Sequence, residues 1–174
     1  ARLQKELLYS SPQLLTHGDA QGDRELRQAL ADYLEEYRGV QCSPEQIVVG
    51  AGLEYLLGLL APLLPGPAAV ENPGYRAAGH ALAVAGAELC GVAVDGDGLD
   101  TAALQALGDC RLAYVTPSHQ YPTGVTLSLA RRLELLEWAQ HRDGWIIEDD
   151  YDGEYRYSGT PLAPLAALDR QGRV

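Results

Sequence analysis

Between positions 23 and 38 the apolar residues Leu26, Ala29, Leu30, Tyr33, Leu34 and Tyr37 recur at i, i+3, i+4, i+7, i+8 and i+11. That stripe predicts an amphipathic helix with one face on a core. Gly39 ends it. Ser43-Pro44-Glu45-Gln46 carries a helix-start signature, a capping Ser with Pro at the first position and Gln at the third. Ile47-Val48-Val49 follows as a strand, so this helix makes a single turn. The pattern then alternates. Gly50-Ala51-Gly52 leads into an apolar helix over 53–64, ended by Pro65-Gly66-Pro67, and 68–71 is a short strand. Pro73-Gly74-Tyr75 opens a helix to about Ala85, 88–94 is a strand, 100–107 a helix and 111–116 a strand. A polar loop covers 117–124. Ser128 caps a long helix through His141, with Leu129, Leu133, Leu136 and Ala139 or Gln140 at helical spacing. Trp145-Ile146-Ile147 opens a buried strand over 145–150, with a short strand at 155–157 and a Pro- and Leu-rich loop to Val174.

Strands alternating with helices five times predict an α/β fold, a three-layer α/β/α arrangement around a mostly parallel sheet covered on both faces. We expect a helical N-terminal segment, 1–45, followed by an α/β core, 46–174, within one domain. No internal repeat or low-complexity segment interrupts the pattern.

At 174 residues the chain is long enough for a real core. Pro62, Pro65 and Pro67 break its best apolar run below membrane-spanning length, and with no signal peptide the cytoplasm is the expected compartment. Cys42, Cys90 and Cys110 form no C-x-x-C pair, which fits a reducing environment and no zinc site. A net charge of −11 argues against this chain gripping nucleic acid by itself. Lys5 is the single lysine, and methionine is absent even at position 1, so the chain reads as a piece of a longer protein.

Candidate chemistry gathers where strands end, which in an open α/β sheet is where ligands bind. The 145–147 run gives way to Glu148, Asp149, Asp150, Tyr151 and Asp152. A carboxylate beside a tyrosine there suits a ligand with a ring nitrogen to protonate and a phenolic oxygen to hold; alone, the cluster reads as a solvated acidic turn. Gly50-Ala51-Gly52, between strand and helix, reads equally as a tight turn or as a phosphate site at a helix start. A dinucleotide site, with Glu71 as its acidic residue, fails at the third glycine, where Tyr55 stands. Tyr75 suits either core packing or stacking on a flat ring. Asp95-Gly96-Asp97-Gly98 resembles part of a calcium loop without its later ligands and is taken as a turn. The stiff 116–124 loop presents Ser118, His119, Gln120, Tyr121 and Thr123 together. Its Ser/His pair lacks a nucleophile-elbow pattern, which argues against a hydrolytic triad.

Several stretches together resemble the aminotransferase domain of the MocR subfamily of GntR-type bacterial regulators. They are Gly18-Asp19-Ala20-Gln21-Gly22 with Glu25-Leu26-Arg27, Val70-Glu71-Asn72-Pro73-Gly74-Tyr75, Thr116 through Gly124, and Ile146 through Tyr157. The likeness covers nearly the whole chain. It implies the fold of class I and II aminotransferases, specifically the N-terminal part of the large domain, and the cofactor pyridoxal 5′-phosphate. Carried over by position, it implies that Asp149 pairs with the pyridine nitrogen, Tyr151 with the ring's phenolic oxygen, and Tyr75 with the ring face. The backbone N–H groups of Gly52 and Leu53 would hold the phosphate, and His119 would brace Asp149. Tyr121 stands where transaminases carry an Asn to the phenolic oxygen, and His17 stands where a Tyr reaches a partner's phosphate; both contacts are therefore in question.

The resemblance further implies that the Schiff-base lysine follows Val174, so the chain as it stands is expected not to transaminate and to bind the cofactor weakly. It implies a winged-helix DNA reader upstream, a small amino compound or the cofactor itself as effector, and a homodimer. The rival is a genuine class I/II amino-acid aminotransferase, against which the His119–Gly124 stretch weighs. No metal site is expected.

Overall fold

The computed structural model describes residues 17–64, 66–155 and 163–174, together with Lys5 and Tyr9. They fall into two compact units, one drawn from Ala1–Tyr37 and Gln41–Gly50, the other from Arg38–Val40 and Ala51–Val174.

In the first unit, Asp23 caps helix α1 (Arg24–Tyr33) by accepting from the N–H groups of Glu25 and Leu26. A π-helical turn, Leu34–Arg38, extends it. The buried residues of α1 are Arg27 and Ala31, and Leu26 of the expected apolar stripe stays exposed. The reason is local: the Arg27 guanidinium donates to the carbonyls of Gly22 (3.0 Å) and Pro44 (2.7 Å) and pairs with Asp19 at 3.3 Å. Pro44–Gln46 forms the expected single turn. Ile47-Val48-Val49 is extended but is not a strand. Its bonds go to Gln21, whose side chain donates to Ile47 O and whose carbonyl accepts from the Val49 N–H, so no ladder forms.

The second unit is built on five strands in the order β3-β2-β1-β4-β5: β1 (Ala68–Asn72), β2 (Leu89–Asp95), β3 (Gly98–Leu99), β4 (Leu112–Val115) and β5 (Trp145–Glu148). The β1–β2, β1–β4 and β4–β5 pairings are parallel; only β3 runs antiparallel, on β2. That two-residue strand is unexpected, and the 95–98 turn serves as its hairpin. Helices α2 (Leu53–Leu60) and α3 (Arg76–Val84) lie in one layer, α4 (Thr101–Ala106) and α5 (Leu129–His141) in the other.

Period-2 alternation sorts the core between the two faces. Ala68, Leu112 and Tyr114 join Leu57, Ala78 and Leu82 under α2 and α3, with Ile147 packed against them. Ala69, Ala113, Val115 and Ile146 join Leu104, Leu135 and Trp138 under α4 and α5. This is the three-layer α/β/α sheet that the pattern predicts. At the start of β5 the expected burial fails: Trp145 is 40% exposed, with the Arg173 guanidinium over its ring.

Helix α5 starts at Ser128 as expected, and Leu136 and Ala139 of the expected stripe do meet the core, but the buried face is shifted: Leu129 and Leu133 are exposed, while Arg132, Leu135 and Trp138 face inward. A fully buried arginine at a core position disguises the stripe. It is satisfied by carbonyls, donating to Leu127 (3.0 Å), Pro117 (2.8 Å) and Ala163 (2.9 Å). The tail is not all loop: α6 (Leu165–Leu168) starts over Glu148, whose carboxylate accepts from the Leu165 and Ala166 N–H groups. Of the expected 155–157 strand, Tyr155 is irregular, and 156–157 lies outside the described residues. Among the described residues no helix is long and apolar enough to cross a membrane.

Candidate functional site

Three parallel strands, β1, β4 and β5, release their C-terminal ends side by side, and each is followed by a loop bearing polar side chains. After β1 the chain turns at Pro73-Gly74. A Cβ on Gly74 would lie 2.2 Å from the Glu71 carbonyl oxygen, so only glycine permits this close turn, and it delivers Tyr75 just before α3. β4 continues into Thr116, and β5 into Asp149, whose N–H donates to Val115 O at 2.9 Å. Gly52 (φ +99°) precedes α2, whose first turn receives no side-chain cap. The N–H groups of that turn, uncapped by any described side chain, and the open space beside Gly52 form the kind of helix start that receives an anionic group.

These elements enclose one cavity of about 330 Å³, lined by Leu53, Tyr75, Thr116, Tyr121, Asp149 and Tyr151. Five of the residues singled out from sequence, Leu53, Tyr75, Tyr121, Asp149 and Tyr151, thus meet around one hollow, with Gly52 next to Leu53 at the helix start. Tyr75 and Tyr121 pack edge to face, ring centroids 5.5 Å apart. Tyr151 donates from its hydroxyl to the His119 carbonyl at 3.0 Å.

His119 departs from expectation. Its Nδ1 lies 2.9 Å from Asp152 Oδ2, and the partner of Asp149 is instead the buried Tyr114, whose phenol donates to Asp149 Oδ2. Tyr114 pairs with Ile147 in the β4–β5 register, so alternation puts Tyr114, Ile147 and Asp149 on one face. Thr116, the first residue of the stiff loop, lines the cavity as well.

Beneath the cavity Glu71 is buried and receives the Thr116 hydroxyl (2.6 Å), the Thr116 N–H (3.2 Å) and the Gln120 amide (3.2 Å). Gln120 reaches on to the carbonyls of Pro73 (2.8 Å) and Tyr121 (2.6 Å), and its own oxygen accepts from Thr123. The network ties the loop after β4 to the turn after β1. It also occupies the Glu71 carboxylate, which removes it as the ribose-binding acid of a dinucleotide site.

Burial is the main cause that pushes the carboxyls of Glu71, Glu148 and Asp149 above the usual carboxylate range. For Asp149 the nearby Asp150 and Asp152 add to that push, while the Tyr114 hydrogen bond opposes it. Burial and the Asp149 carboxylate drive the Tyr114 phenol well above its ordinary value, so the proton of this pair stays on the tyrosine at neutral pH.

A carboxyl raised in the folded state contributes stability that is complete below its unfolded pKa and is lost as pH rises through the folded one. Asp95, held charged by the Asp97 N–H and by Arg131, is lowered instead, and its contribution is lost only at more acid pH. The melting temperature is therefore expected to climb as pH falls from about 8 to about 5. A steady fall across that interval in thermal melts contradicts the assignment.

Among known families, the model for class I and II aminotransferases matches residues 1–159. The chain belongs to this family. Within it, the sequence sides with MocR-type regulators. The probable rhizopine catabolism regulatory protein MocR of Rhizobium meliloti is 38% identical over 99% of this chain and 35% of its own length. The pyridoxine biosynthesis transcriptional regulator PdxR of Corynebacterium glutamicum is 44% identical over 88% of this chain and 34% of its own. Among solved structures, an archaeal alanine:glyoxylate aminotransferase superposes with a TM-score of 0.91 at 38% identity, covering 99% of this chain and 45% of that one. The chain thus spans about a third of the length of these curated relatives.

Proposed function

We propose that this chain forms the pyridoxal-phosphate-binding part of the aminotransferase-like effector domain of a MocR-type transcriptional regulator. One observation carries the reading: a carboxylate, three tyrosines and an uncapped helix start converge on one cavity at the C-terminal edge of a parallel sheet. When bound, pyridoxal phosphate supplies a protonated pyridine ring that withdraws electrons from a joined amino compound.

The protein's part is to hold and orient the ring. Asp149 accepts the proton-bearing ring nitrogen, and as an anion it favours that proton. Tyr151 would turn its one hydroxyl proton from the His119 carbonyl to the phenolic oxygen, and Tyr75 offers a ring face. The N–H groups at Gly52 and Leu53 take the phosphate. Tyr121 closes the cavity beside Tyr75, and His119 sets the loop from which Tyr151 is held.

The regulatory reading is supported by relatives named as regulators. In the intact protein an amino compound or the cofactor would act as effector, DNA would be read by a segment outside this chain, and the pair of subunits would work in the cytoplasm. A genuine amino-acid aminotransferase remains a second reading, favoured by the 38% identity to the archaeal enzyme.

Titrating the chain with pyridoxal phosphate and following the cofactor's absorbance tests the binding reading. A saturable spectral change at cofactor concentrations up to about 1 mM is expected, the weak-affinity range for contacts without a covalent link. No change over that range rejects it.

A further inference from the structure

Asp149 sits in a setting that works against its charge. Burial disfavours the carboxylate, Asp150 and Asp152 repel it from its own loop, and Glu71 faces the same region from β1. Arg38 pairs with Asp150 and also reaches Glu154, and His119 lies against Asp152, so these side chains are directed at the flanking acids. Among the described residues one side chain donates to the Asp149 carboxylate, and it is Tyr114.

Tyr114 is 2% exposed in β4, packed with Leu57, Ala78, Leu82 and Leu112. A phenylalanine would fill that space equally well. The hydroxyl is the part that packing does not require, and it is spent on Asp149 Oδ2, leaving Oδ1 with no donor among the described residues and Asp149 on the cavity wall.

We propose that Tyr114 is a positioning residue for the cofactor: its phenol pins one oxygen of Asp149 so that the other meets the ring nitrogen. The inference rests on the pyridoxal phosphate reading above. A pinned carboxylate offers the ring one geometry rather than several, and the donated hydrogen bond favours the charged form that a protonated ring nitrogen needs.

Two readouts on the 174-residue chain separate this role from mere packing. In the ligand-free protein, carbon-13 NMR follows the Asp149 carboxyl through a pH titration, its resonance assigned by its loss in Asp149→Asn. In Tyr114→Phe the midpoint is expected to move to higher pH. The acid limb of pyridoxal phosphate binding should move in the same direction, with affinity roughly tenfold weaker near neutral pH, the effect of one lost hydrogen bond to a charged group. A hydroxyl that only packs would change the melting temperature and leave both midpoints in place, and that result overturns the proposal.

If the parent chain binds no pyridoxal phosphate, the functional reading fails while the carboxyl titration still decides the role of Tyr114. Should Tyr114→Phe not fold, the parent protein decides: the Tyr114 ring-carbon and Asp149 carboxyl resonances are expected to share one inflection, and independent behaviour rejects the link.

Discussion

Asp149→Ala is expected to lose most of the affinity for pyridoxal phosphate, by roughly 10- to 100-fold, the usual effect of removing a hydrogen bond to a charged group in a partly buried site. Asp149→Asn separates charge from shape. Its amide oxygen can still accept from Tyr114, so the local packing survives, but the anion that favours a protonated ring nitrogen is gone. Both variants should weaken binding to a similar extent in absorbance titrations. Unchanged affinity in Asn with loss only in Ala would show that shape, not charge, recognises the ring. Neither variant should melt far below the parent, because each also removes a carboxylate that burial opposes.

The second large effect is one of stability. Arg132→Met removes the guanidinium donor from the carbonyls of Leu127, Pro117 and Ala163; Pro117 O keeps the Leu127 N–H and Ala163 is open to solvent, whereas Leu127 is buried. Leu127 O loses its donor in the core while the other two acceptors are only weakened, so the cost is about 2 kcal/mol, or a drop of roughly 4–8 °C for a chain of this size. Pro117 adjoins Thr116 on the cavity wall, so pyridoxal phosphate binding should weaken as well. A melting temperature equal to the parent's, read by circular dichroism, contradicts the role given to this residue. Arg132→Lys is expected to recover only part of the loss, since an ammonium cannot reach three carbonyls in the planar fork that a guanidinium presents.

Arg132 also shows where the sequence was legible and where it was not. The parallel sheet was plain because each strand is a short apolar run closed by a turn signal, as at Ala68-Ala69-Val70 before Pro73-Gly74. The start of α5 was plain because a single capping residue, Ser128, decides it. Helix faces were not. In α1 and α5 a buried arginine takes a core position and gives its donors to loop carbonyls, so counting apolar residues misplaces the buried face.

Ile47-Val48-Val49 has strand composition, yet its hydrogen bonds go to Gln21, a partner that no local pattern announces. The site divides along the same line. Tyr75, Tyr121, Asp149 and Tyr151 were legible through the resemblance to MocR-type regulators, since their places at strand ends leave core packing or a solvated turn equally open. Tyr114 reads as an ordinary strand residue. Only the β4–β5 register, which places Tyr114 opposite Ile147 and one same-face step from Asp149, reveals its part.

A crystal structure of the chain with pyridoxal phosphate tests the central idea most directly. The account predicts the ring in the cavity against Tyr75, its nitrogen at Asp149, and its phosphate at the N–H groups of Gly52 and Leu53. A phosphate held elsewhere, or a ring nitrogen turned away from the Asp149 carboxylate, contradicts it.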